Sequence, residues 1–384
     1  MKKQNLVIGI DASNIRGGGG VTHLVELLRA EENPLQYGIS TVILWAGSKT
    51  LNQIEDRSWL KKKEPPLLNK NLFYRTYWQC FELTKQVVAA KCNLLYVPGG
   101  FYTGNFSPMV SFSRNALPFE SQELRRYGIS WMIIKMKLVK YIQSYTFRYA
   151  SGVVFVTKYM QDTVMKSIHH ANAVTIVIPH GIGRQFNLRQ QQAVRLNKRS
   201  ASTFEILYVS TIAPYKHQWH VVKAVAQLRK SGLPIVLNLV GDVGQRSSLK
   251  RLQNAINQFD PSGHFIRYHG IISYDNVQEY YASADLCLFA SSCESFSNIL
   301  LESMSSGKPV VCSNKSPMTD MLGDAGLYFD PERPEQIASA IKKIYDNPTL
   351  SCELSSKAHE KVKKYSWKLC AKKTFSFLAE IAAK

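Results

Sequence analysis

Short apolar runs recur along the first half of the chain, separated by polar turns and by stretches with helical spacing. The first, residues 6–10, runs into Asp11 and four consecutive glycines, and residues 21–29 then show helical spacing. Runs of this kind are typical of buried parallel strands, and their alternation with helices predicts a parallel sheet covered on both faces. The other predicted strands of this half are residues 40–45, 94–97, 109–112, 152–157 and 174–178.

A polar segment then divides the chain. Residues 186–203 include three consecutive glutamines, 190–192, and we interpret them as a linker. After it the alternation restarts, so we predict a protein of the α/β class with one domain over residues 1–185 and a second over residues 204–364. The predicted strands of the second domain are 206–209, 235–240, 264–268, 285–289 and 309–312, and its predicted helices are 218–231, 246–257, 275–282, 298–306, 334–345 and a last one from about 358.

The residues with the clearest chemistry follow a predicted strand of the second domain. Ligands of open parallel sheets bind beyond the carboxyl ends of the strands, and two facing sheets would surround one cleft. Glu294 lies in such a position, Ser297 and Asn298 begin a helix, and Glu302 lies one turn into it. Free N–H groups at a helix start suit an anion, and two carboxylates can bind two ends of one polar ligand. The alternative is a plain N-cap at Ser297 and a salt-bridged helix residue at Glu302.

The composition places the chain among globular proteins and its charge points to anionic partners. Of 384 residues, 45% are hydrophobic and 20% charged. Lys and Arg total 48 against 28 acidic residues, a net charge of +20, and residues 1–190 alone carry a net +13. A charge of this kind indicates partners rather than fold. The first half is therefore the better candidate for contact with an anionic surface.

Cysteine usage and the chain start favour a cytoplasmic protein. The seven cysteines form no C-x-x-C pair, which argues against a disulfide framework and a metal site. The first apolar run is too short for a signal peptide, and no uninterrupted apolar stretch reaches the roughly 18 residues of a spanning helix. We expect a soluble protein, or one bound at most to a membrane surface, with no metal.

The segment that begins at Glu294 resembles the retaining glycosyltransferase family 4, which has the GT-B fold. The family pattern is Glu, seven residues, Glu, a helix end of small residues, Gly-x-Pro-Val-Val and a later Gly-Asp-Ala-Gly turn. Here these are Glu294, Glu302, residues 307–311 and residues 323–326. The resemblance implies two facing Rossmann-like domains with parallel sheets and a deep interdomain cleft. It also implies an acceptor-binding first domain and a second domain that binds a nucleotide sugar.

Two further segments of the second domain and the chain end extend the resemblance. Residues 206–217 resemble the family's strand-turn-Lys segment, which implies that Lys216 binds the donor diphosphate. The backbone near Gly270 and Ile271 would contact the edge of the nucleobase. Residues 365–384 resemble the family's terminal helix, which returns to the first domain.

In the first domain, one loop fits the family and another departs from it. The loop with Gly18 and Gly19 resembles the family's glycine loop, where glycine lets the backbone approach a donor closely. Relatives often carry a His, facing the donor sugar, after a middle strand of this domain. Here Arg114 stands in that place, and it can bind phosphate or an acidic acceptor but cannot be a general base. Asn115 beside it can hydrogen-bond the sugar; alternatively, both are ordinary loop residues.

The resemblance implies transfer of a sugar from a nucleotide diphosphate to a saccharide or lipid-linked acceptor, with retention, in cell-surface polysaccharide synthesis such as that of lipopolysaccharide. Glu294 and Lys216 are the expected catalytic residues. Glu294 would order the donor sugar and Glu302 would accept hydrogen bonds from the ribose. Phe296, Ser297 and Asn298 complete the donor site. Neither cofactor nor metal is expected, because Lys216 and backbone amides hold the phosphates.

Rival interpretations remain open at this point. In the first interpretation, the chain is a catalytically inert GT-B scaffold. Arg114 favours this interpretation, and the Glu294–Glu302 pair argues against it. In another it is a basic nucleic-acid-binding protein, but no aromatic-interleaved basic motif has a recognised spacing, so we expect no nucleic acid. An epimerase or phosphorylase of similar architecture is a third.

A basic amphipathic stretch gives the first domain a candidate membrane surface. Residues 123–148 interleave lysines and arginines with Trp131 and aliphatic residues, a pattern that can lie on an anionic membrane. The alternative is an ordinary helix whose apolar side enters the core. Residues 61–63, three lysines in a row, are expected to form a solvated loop.

Overall fold

The computed structural model describes residues 5–168, 172–183, 186, 203–273 and 276–384. Its backbone divides into two units. Unit 1 is Met1–Phe119, Ser130–Gly181 and Tyr365–Lys384, and unit 2 is Glu120–Ile129 and Ile182–Lys364. Unit 2 thus includes two stretches that the sequence analysis left in the first domain, residues 120–129 and residues 182–185. Of the predicted linker, only residues 186 and 203 are among the described residues.

In the described part of unit 1, seven strands form one parallel sheet. They are β1 (Leu6–Asp11), β2 (Ile39–Trp45), β3 (Leu60–Lys63), β4 (Leu94–Val97), β5 (Met109–Ser113), β6 (Gly152–Phe155) and β7 (Val174–Val177). Their order in the sheet is β3-β2-β1-β4-β5-β6-β7. The central strands β4, β5 and β6 are buried along their whole length, which explains why β4 and β6 are apolar throughout and why β5 has only the small Ser111 and Ser113 among its apolar residues. The order reverses direction between β1 and β4, the position where such sheets bind ligands.

The three consecutive lysines correct one prediction. They form most of β3, an edge strand in parallel register with β2, and not a solvated loop. Lys62 contacts Asp56 at 2.7 Å. Lysine side chains on an edge strand keep further chains from pairing with it, so the charge of this run is compatible with a strand at this one position in the sheet.

Unit 2 contains the second parallel sheet, of six described strands. They are β8 (Phe204–Val209), β9 (Ile235–Val240), β10 (Ile266–Tyr268), β11 (Leu286–Phe289), β12 (Val310–Ser313) and β13 (Leu327–Phe329). Their order is β10-β9-β8-β11-β12-β13, so the order in which successive strands are added to the sheet reverses between β8 and β11. The two sheets confirm the predicted α/β class with two Rossmann-like domains.

Helices connect the strands in both units. They are α1 (Gly19–Ala30), α2 (Ser48–Leu51), α3 (Leu72–Phe81), α4 (Leu83–Ala89), α5 (Ser121–Arg125), α6 (Trp131–Tyr149), α7 (Lys158–Ser167), α8 (Gln218–Lys230), α9 (Arg246–Phe259), α10 (Val277–Ser283), α11 (Asn298–Ser305), α12 (Met318–Leu322), α13 (Pro334–Asp346), α14 (Pro348–Val362) and α15 (Trp367–Ala382). The single last helix expected from about residue 358 is two helices, α14 and α15. Ser366 starts the second, because its side chain accepts a hydrogen bond from the Leu369 N–H at 3.0 Å.

Helix α15 packs into unit 1, and one close approach fixes where it begins. Phe375, Phe377 and Leu378 are buried. A methyl group at Gly181 would lie 2.1 Å from the backbone nitrogen of Trp367, so only glycine fits there. The start of α15 therefore rests directly on the backbone that follows β7.

We expect Gly181→Ala to destabilise the protein by about 1–3 kcal/mol, because the added methyl group must push the start of α15 away from the sheet. Urea unfolding followed by circular dichroism measures this. Gly99→Ala is the matched control, since a methyl group there meets no atom within 4 Å. Equal midpoints for Gly181→Ala and wild type would contradict the expected packing.

Candidate active site

Two charged side chains meet between β8 and β11, where the order of the strands along the unit 2 sheet reverses. Lys216 lies in a short 3-10 turn, Pro214–Lys216, after β8, and Glu294 lies in the loop between β11 and α11. The Lys216 Nζ donates to Glu294 Oε1 in an ion pair, and Lys216 is only 5% exposed. Because β8 and β11 are parallel neighbours, their following loops must meet at one sheet edge. The structure thus brings together the two residues predicted to be catalytic.

Two polar contacts join these two loops, and one further hydrogen bond fixes the first loop to its own strand. The Ser292 N–H donates to the Tyr215 carbonyl at 2.8 Å, and the Tyr208 hydroxyl donates to the Lys216 carbonyl at 2.6 Å. The His217 Nε2 and the Ser292 Oγ lie 2.9 Å apart. The lysine and the carboxylate are therefore preorganised by backbone as well as by their own attraction.

Aromatic rings surround the ammonium group of Lys216. Its Nζ lies 5.3 Å from the ring centroids of both Tyr215 and Phe289. Rings at this distance attract a cation, and here they add to the charge of Glu294. Burial raises the pKa of the Tyr215 hydroxyl, as does the Glu294 charge, so this ring stays neutral beside the ion pair.

A pocket of about 220 Å³ lies beyond the ends of β8 and β9 and contains Glu302. Its walls are mainly aliphatic side chains, with Asp242 and Glu302 as the carboxylates; the lining residues are Val209, Val240, Gly241, Asp242, Ile271, Ile272, Val277, Ile299 and Glu302. Glu302 is 7% exposed, and its Oε2 accepts a hydrogen bond from the Tyr281 hydroxyl at 3.3 Å. An apolar pocket with few polar groups is typical of small-molecule sites.

The remaining predicted residues of the second domain lie around this pocket or at the start of α11. Ile271 lines the pocket and is 71% exposed, and the Gly270 carbonyl accepts from the Gly241 N–H at 2.8 Å. Ser297 is the N-cap of α11: its side chain accepts from the Leu300 N–H at 3.1 Å, which is the structural role left open for it. Phe296 is buried before this cap, and Asn298 is the first residue of the helix.

The sequence analysis assigned no individual role to Asp242 or Tyr281, and of the two only Asp242 had a positional signal. Asp242 follows a predicted strand, as Lys216 and Glu294 do. Tyr281 lies on α10, whose sequence gives no indication of a partner 21 residues further on.

Residues 120–129, which are part of unit 2, contact the rest of that unit in a way that the sequence did not reveal. The Ser292 Oγ donates to Glu123 Oε2 at 2.7 Å across 169 positions of the chain. Arg126 donates to Glu123 at 2.7 Å and to Glu332 at 3.0 Å. The hydrogen bond from Arg126, followed by the charge of Arg126, lowers the pKa of Glu332 to about 2. Helix α5 is thereby fixed against the loop that carries Glu294.

In unit 1, the glycine loop and Arg114 lie against each other. Gly18 precedes α1 and Gly19 begins it. A methyl group at Gly20 would lie 1.8 Å from the Arg114 guanidinium, so glycine permits this contact. Burial lowers the pKa of Arg114 from its usual value. Asn115 accepts from the Leu117 N–H at 3.3 Å, a local turn contact.

A histidine that the sequence analysis passed over lies next to this loop. His23 on α1 is 2% exposed and stacks on Phe112 with ring centroids 4.6 Å apart. Among the described atoms, neither of its ring nitrogens has a hydrogen-bond partner. Burial, with the charges of His180 and Arg114, holds its pKa well below the usual value, so the ring is neutral and packs as an aromatic group.

In the ranges that the structure describes, no group of three or more His, Cys, Asp or Glu side chains is placed to hold a metal ion. Across the same ranges, each helix is too short or too polar to cross a membrane.

Comparison with known proteins relates the second domain to one class of enzymes. Residues 190–365 match the family "Glycosyl transferases group 1", so this part of the chain is similar to domains of that type. The O-antigen chain mannosyltransferase B of Escherichia coli is 28% identical over 173 residues. That alignment spans 44% of this chain and 44% of the relative.

Solved structures match over nearly the whole chain and show its fold. Sucrose-phosphate synthase from Thermosynechococcus elongatus has a TM-score of 0.76 and 17% identity, covering 99% of this chain and all of that one. Anabaena HepE, in complex with UDP and glucose, has a TM-score of 0.68 and 17% identity, with 97% and 99% covered. The fold is GT-B, as predicted, with two parallel-sheet Rossmann-like domains.

His217 makes the stability of the protein sensitive to acid. Burial, followed by the charge of Arg126, lowers its pKa to about 3. An unfolded chain binds a proton on this side chain near pH 6.5. As the pH falls from about 6.5 towards 3, the unfolded state therefore gains protons that the folded state excludes, and stability is lost.

We expect His217→Asn to reduce the loss of unfolding free energy between pH 6.5 and pH 4.5 by about 2 kcal/mol. Asparagine tolerates the positive φ of 54° at this position. Urea unfolding at both pH values measures the effect, with the exposed His264→Asn as control. The same acid sensitivity in His217→Asn and wild type would contradict a neutral buried His217.

Proposed function

We propose that the protein is a retaining glycosyltransferase that moves a sugar from a nucleotide-diphosphate donor onto a saccharide or lipid-linked acceptor. The observation that carries the proposal is the Lys216–Glu294 pair, held at the reversal point of the unit 2 sheet. The similarity of residues 190–365 to group 1 glycosyl transferase domains supports it. So does the name of the mannosyltransferase relative.

The nucleoside fits the aliphatic pocket. Glu302 offers carboxylate oxygens to the two ribose hydroxyls, and the Tyr281 hydroxyl orients it from behind. The base lies against Ile271 and Ile272, near the backbone of Gly270. The structural neighbour HepE has been solved in complex with UDP and glucose.

The diphosphate lies between Lys216 and the start of α11. An ammonium group has three donors, so Lys216 can bind phosphate oxygens while one N–H stays on Glu294. The first N–H groups of α11 add the positive end of the helix dipole. No metal is needed in this arrangement, because these donors balance the charge of the leaving diphosphate.

In the transfer step, the acceptor hydroxyl oxygen forms a bond to the anomeric carbon as the bond from that carbon to the diphosphate oxygen breaks. The bonding electrons leave with the diphosphate, and the acceptor proton passes to one of its oxygens. Glu294 orders the donor sugar and stabilises positive charge at the anomeric carbon. Lys216 stabilises the negative charge that develops on the diphosphate. Preformed donors lower the barrier of a reaction most when they face the charge that develops in the transition state. Retention of configuration is part of the proposal through the family resemblance.

The acceptor side and the location complete the proposal. Arg114 and Asn115 in unit 1 are the proposed acceptor contacts, with Arg114 for an anionic group. We propose a cytoplasmic protein, peripheral on the inner face of the plasma membrane, that acts in cell-surface polysaccharide synthesis, in keeping with the O-antigen role in the relative's name.

We expect one nucleoside diphosphate among GDP, UDP, ADP and dTDP to bind wild type without metal, and Lys216→Met to weaken it roughly ten- to a hundredfold. The corresponding nucleoside should bind both proteins equally, whereas Glu302→Gln should weaken nucleoside and diphosphate alike. Isothermal titration calorimetry measures all of these affinities. Lys223→Met, on the exposed side of α8, is the matched control.

The double variant Lys216→Met/Glu294→Gln removes both charges and guards against misfolding from an unpaired Glu294. If no diphosphate binds wild type while DNA or a protein partner does, the transferase proposal fails and the nucleic-acid or scaffold interpretation takes its place. Unchanged diphosphate affinity in Lys216→Met would remove Lys216 from the donor site.

We expect Glu294→Gln to lower kcat about a hundredfold with little change in diphosphate affinity, because its charge acts on the reacting sugar. The assay follows diphosphate release from GDP-mannose, UDP-glucose and related donors with a panel of glycoside acceptors. Proton NMR of the new anomeric signal reports its configuration. An inverted product would contradict retention, and an epimerised or phosphorolysed donor would indicate the epimerase or phosphorylase alternative.

A further inference from the structure

Helix α6 exposes its apolar face to solvent. Each of six side chains along one stripe of the helix is at least 43% exposed: Trp131, Ile134, Leu138, Tyr141, Tyr145 and Tyr149. Their spacing of three or four residues places them on one side. Met136, Gln143 and Phe147 are buried on the other side. A helix of a soluble domain normally exposes polar residues, so an apolar stripe of this length indicates an interaction surface.

Helix α3 adds a second exposed apolar stripe in the same unit. Phe73, Tyr77 and Phe81 follow one another at intervals of four residues and are 73%, 47% and 59% exposed. The nine side chains of the two stripes together are called the aromatic surface below.

Both helices pack on one loop, residues 101–104. Gln79 of α3 donates to the Phe101 carbonyl at 2.8 Å, and Thr146 of α6 accepts from the Tyr102 N–H at 3.0 Å. The two stripes therefore belong to one region of unit 1 and are held there by a shared loop.

The charge along the α6 part of the aromatic surface has one sign. No acidic residue occurs between Glu123 and Asp162, whereas α6 carries four basic residues. Of these, Lys135, Lys137 and Arg148 are exposed. Beside α3, the Lys70 Nζ lies 4.8 Å from the Tyr74 ring. The surface thus combines aromatic rings with an unbalanced positive charge.

We propose that the aromatic surface docks onto an anionic lipid bilayer. Tyrosine and tryptophan place their rings among acyl chains and their polar atoms at the headgroups, and lysine and arginine reach lipid phosphates. In a dimer formed through this surface, the four basic residues of one α6 would face the four of the other. No acidic residue lies in either stripe to balance their repulsion. The unbalanced positive charge along α6 therefore favours an anionic membrane over self-association.

This surface deepens the membrane location proposed above and rests on that location, but it uses none of the donor-binding residues. Vesicle binding requires neither donor nor acceptor. A failure of vesicle binding would therefore leave the transferase proposal standing, and a failure of nucleotide binding would leave the docking surface standing.

The test is cosedimentation of the full chain with vesicles of phosphatidylcholine alone or with 40% phosphatidylglycerol, at about 0.1 M salt. We expect binding to the anionic vesicles and much weaker binding to the neutral ones. Lys135→Gln and Lys137→Gln should each cost about fivefold in affinity for anionic vesicles. Ile134→Ser/Tyr141→Ser should cost at least as much on both kinds of vesicle.

Matched controls come from the same unit. Leu35→Ser replaces an equally exposed apolar residue, and Lys372→Gln/Lys373→Gln replaces two exposed lysines on α15. Both should bind vesicles as wild type does. Trp131→Phe should keep binding but lose most of the blue shift in fluorescence that vesicles produce, which reports that this ring enters the bilayer.

Three outcomes would overturn the proposal. One is no binding of wild type to anionic vesicles. Another is an equal loss in the control variants, which would mean that net charge alone acts. The third is a wild-type dimer in analytical ultracentrifugation that Ile134→Ser/Tyr141→Ser makes monomeric without changing vesicle binding, which would assign the aromatic surface to self-association.

Discussion

The ion pair between Lys216 and Glu294 is the interaction on which the candidate site depends. A buried ammonium group is costly unless a counter-charge lies beside it, and Glu294 is that counter-charge. Because the two residues follow adjacent parallel strands, their attraction also joins the loops after β8 and β11. The bond from Ser292 to the Tyr215 carbonyl then fixes the register of those loops. The structure thus keeps a positive charge in place at the sheet edge before any ligand arrives.

The same sheet edge separates two kinds of chemistry. The aliphatic walls of the pocket around Glu302 come from Ile271 and Ile272 after β10 together with the ends of β8 and β9 and residues of α10 and α11, whereas the loops after β8 and β11 supply the ion pair. A nucleotide has the matching division, with a largely apolar base at one end and charged phosphates at the other. The order β10-β9-β8-β11 places these four strand ends side by side. This arrangement is why one short stretch of sheet edge can bind both ends of one ligand.

Two lysines of α6 in unit 1 differ from Lys216 of unit 2 in that they are exposed. Lys216 is buried and paired in unit 2, whereas Lys135 and Lys137 are exposed among aromatic rings in unit 1. A buried paired lysine acts at short range on one bound group, and exposed lysines act together on an extended surface. The two units therefore divide the large positive charge of the chain between a point site and a surface.

The sequence by itself determined the elements whose side chains are buried on every side. Residues 235–240 were predicted as a strand with the bounds of β9, because a buried strand is apolar, here with the half-buried Asn238 as the exception. Glu294 was found because it follows such a strand, and Lys216 was assigned through the family resemblance of the strand-turn-Lys segment. Tertiary structure alone decided that three lysines form the edge strand β3, that Glu123 contacts Ser292 across 169 positions, and that the apolar stripe of α6 faces solvent. Periodicity records which positions are apolar, but what covers them depends on neighbours that are distant in the chain.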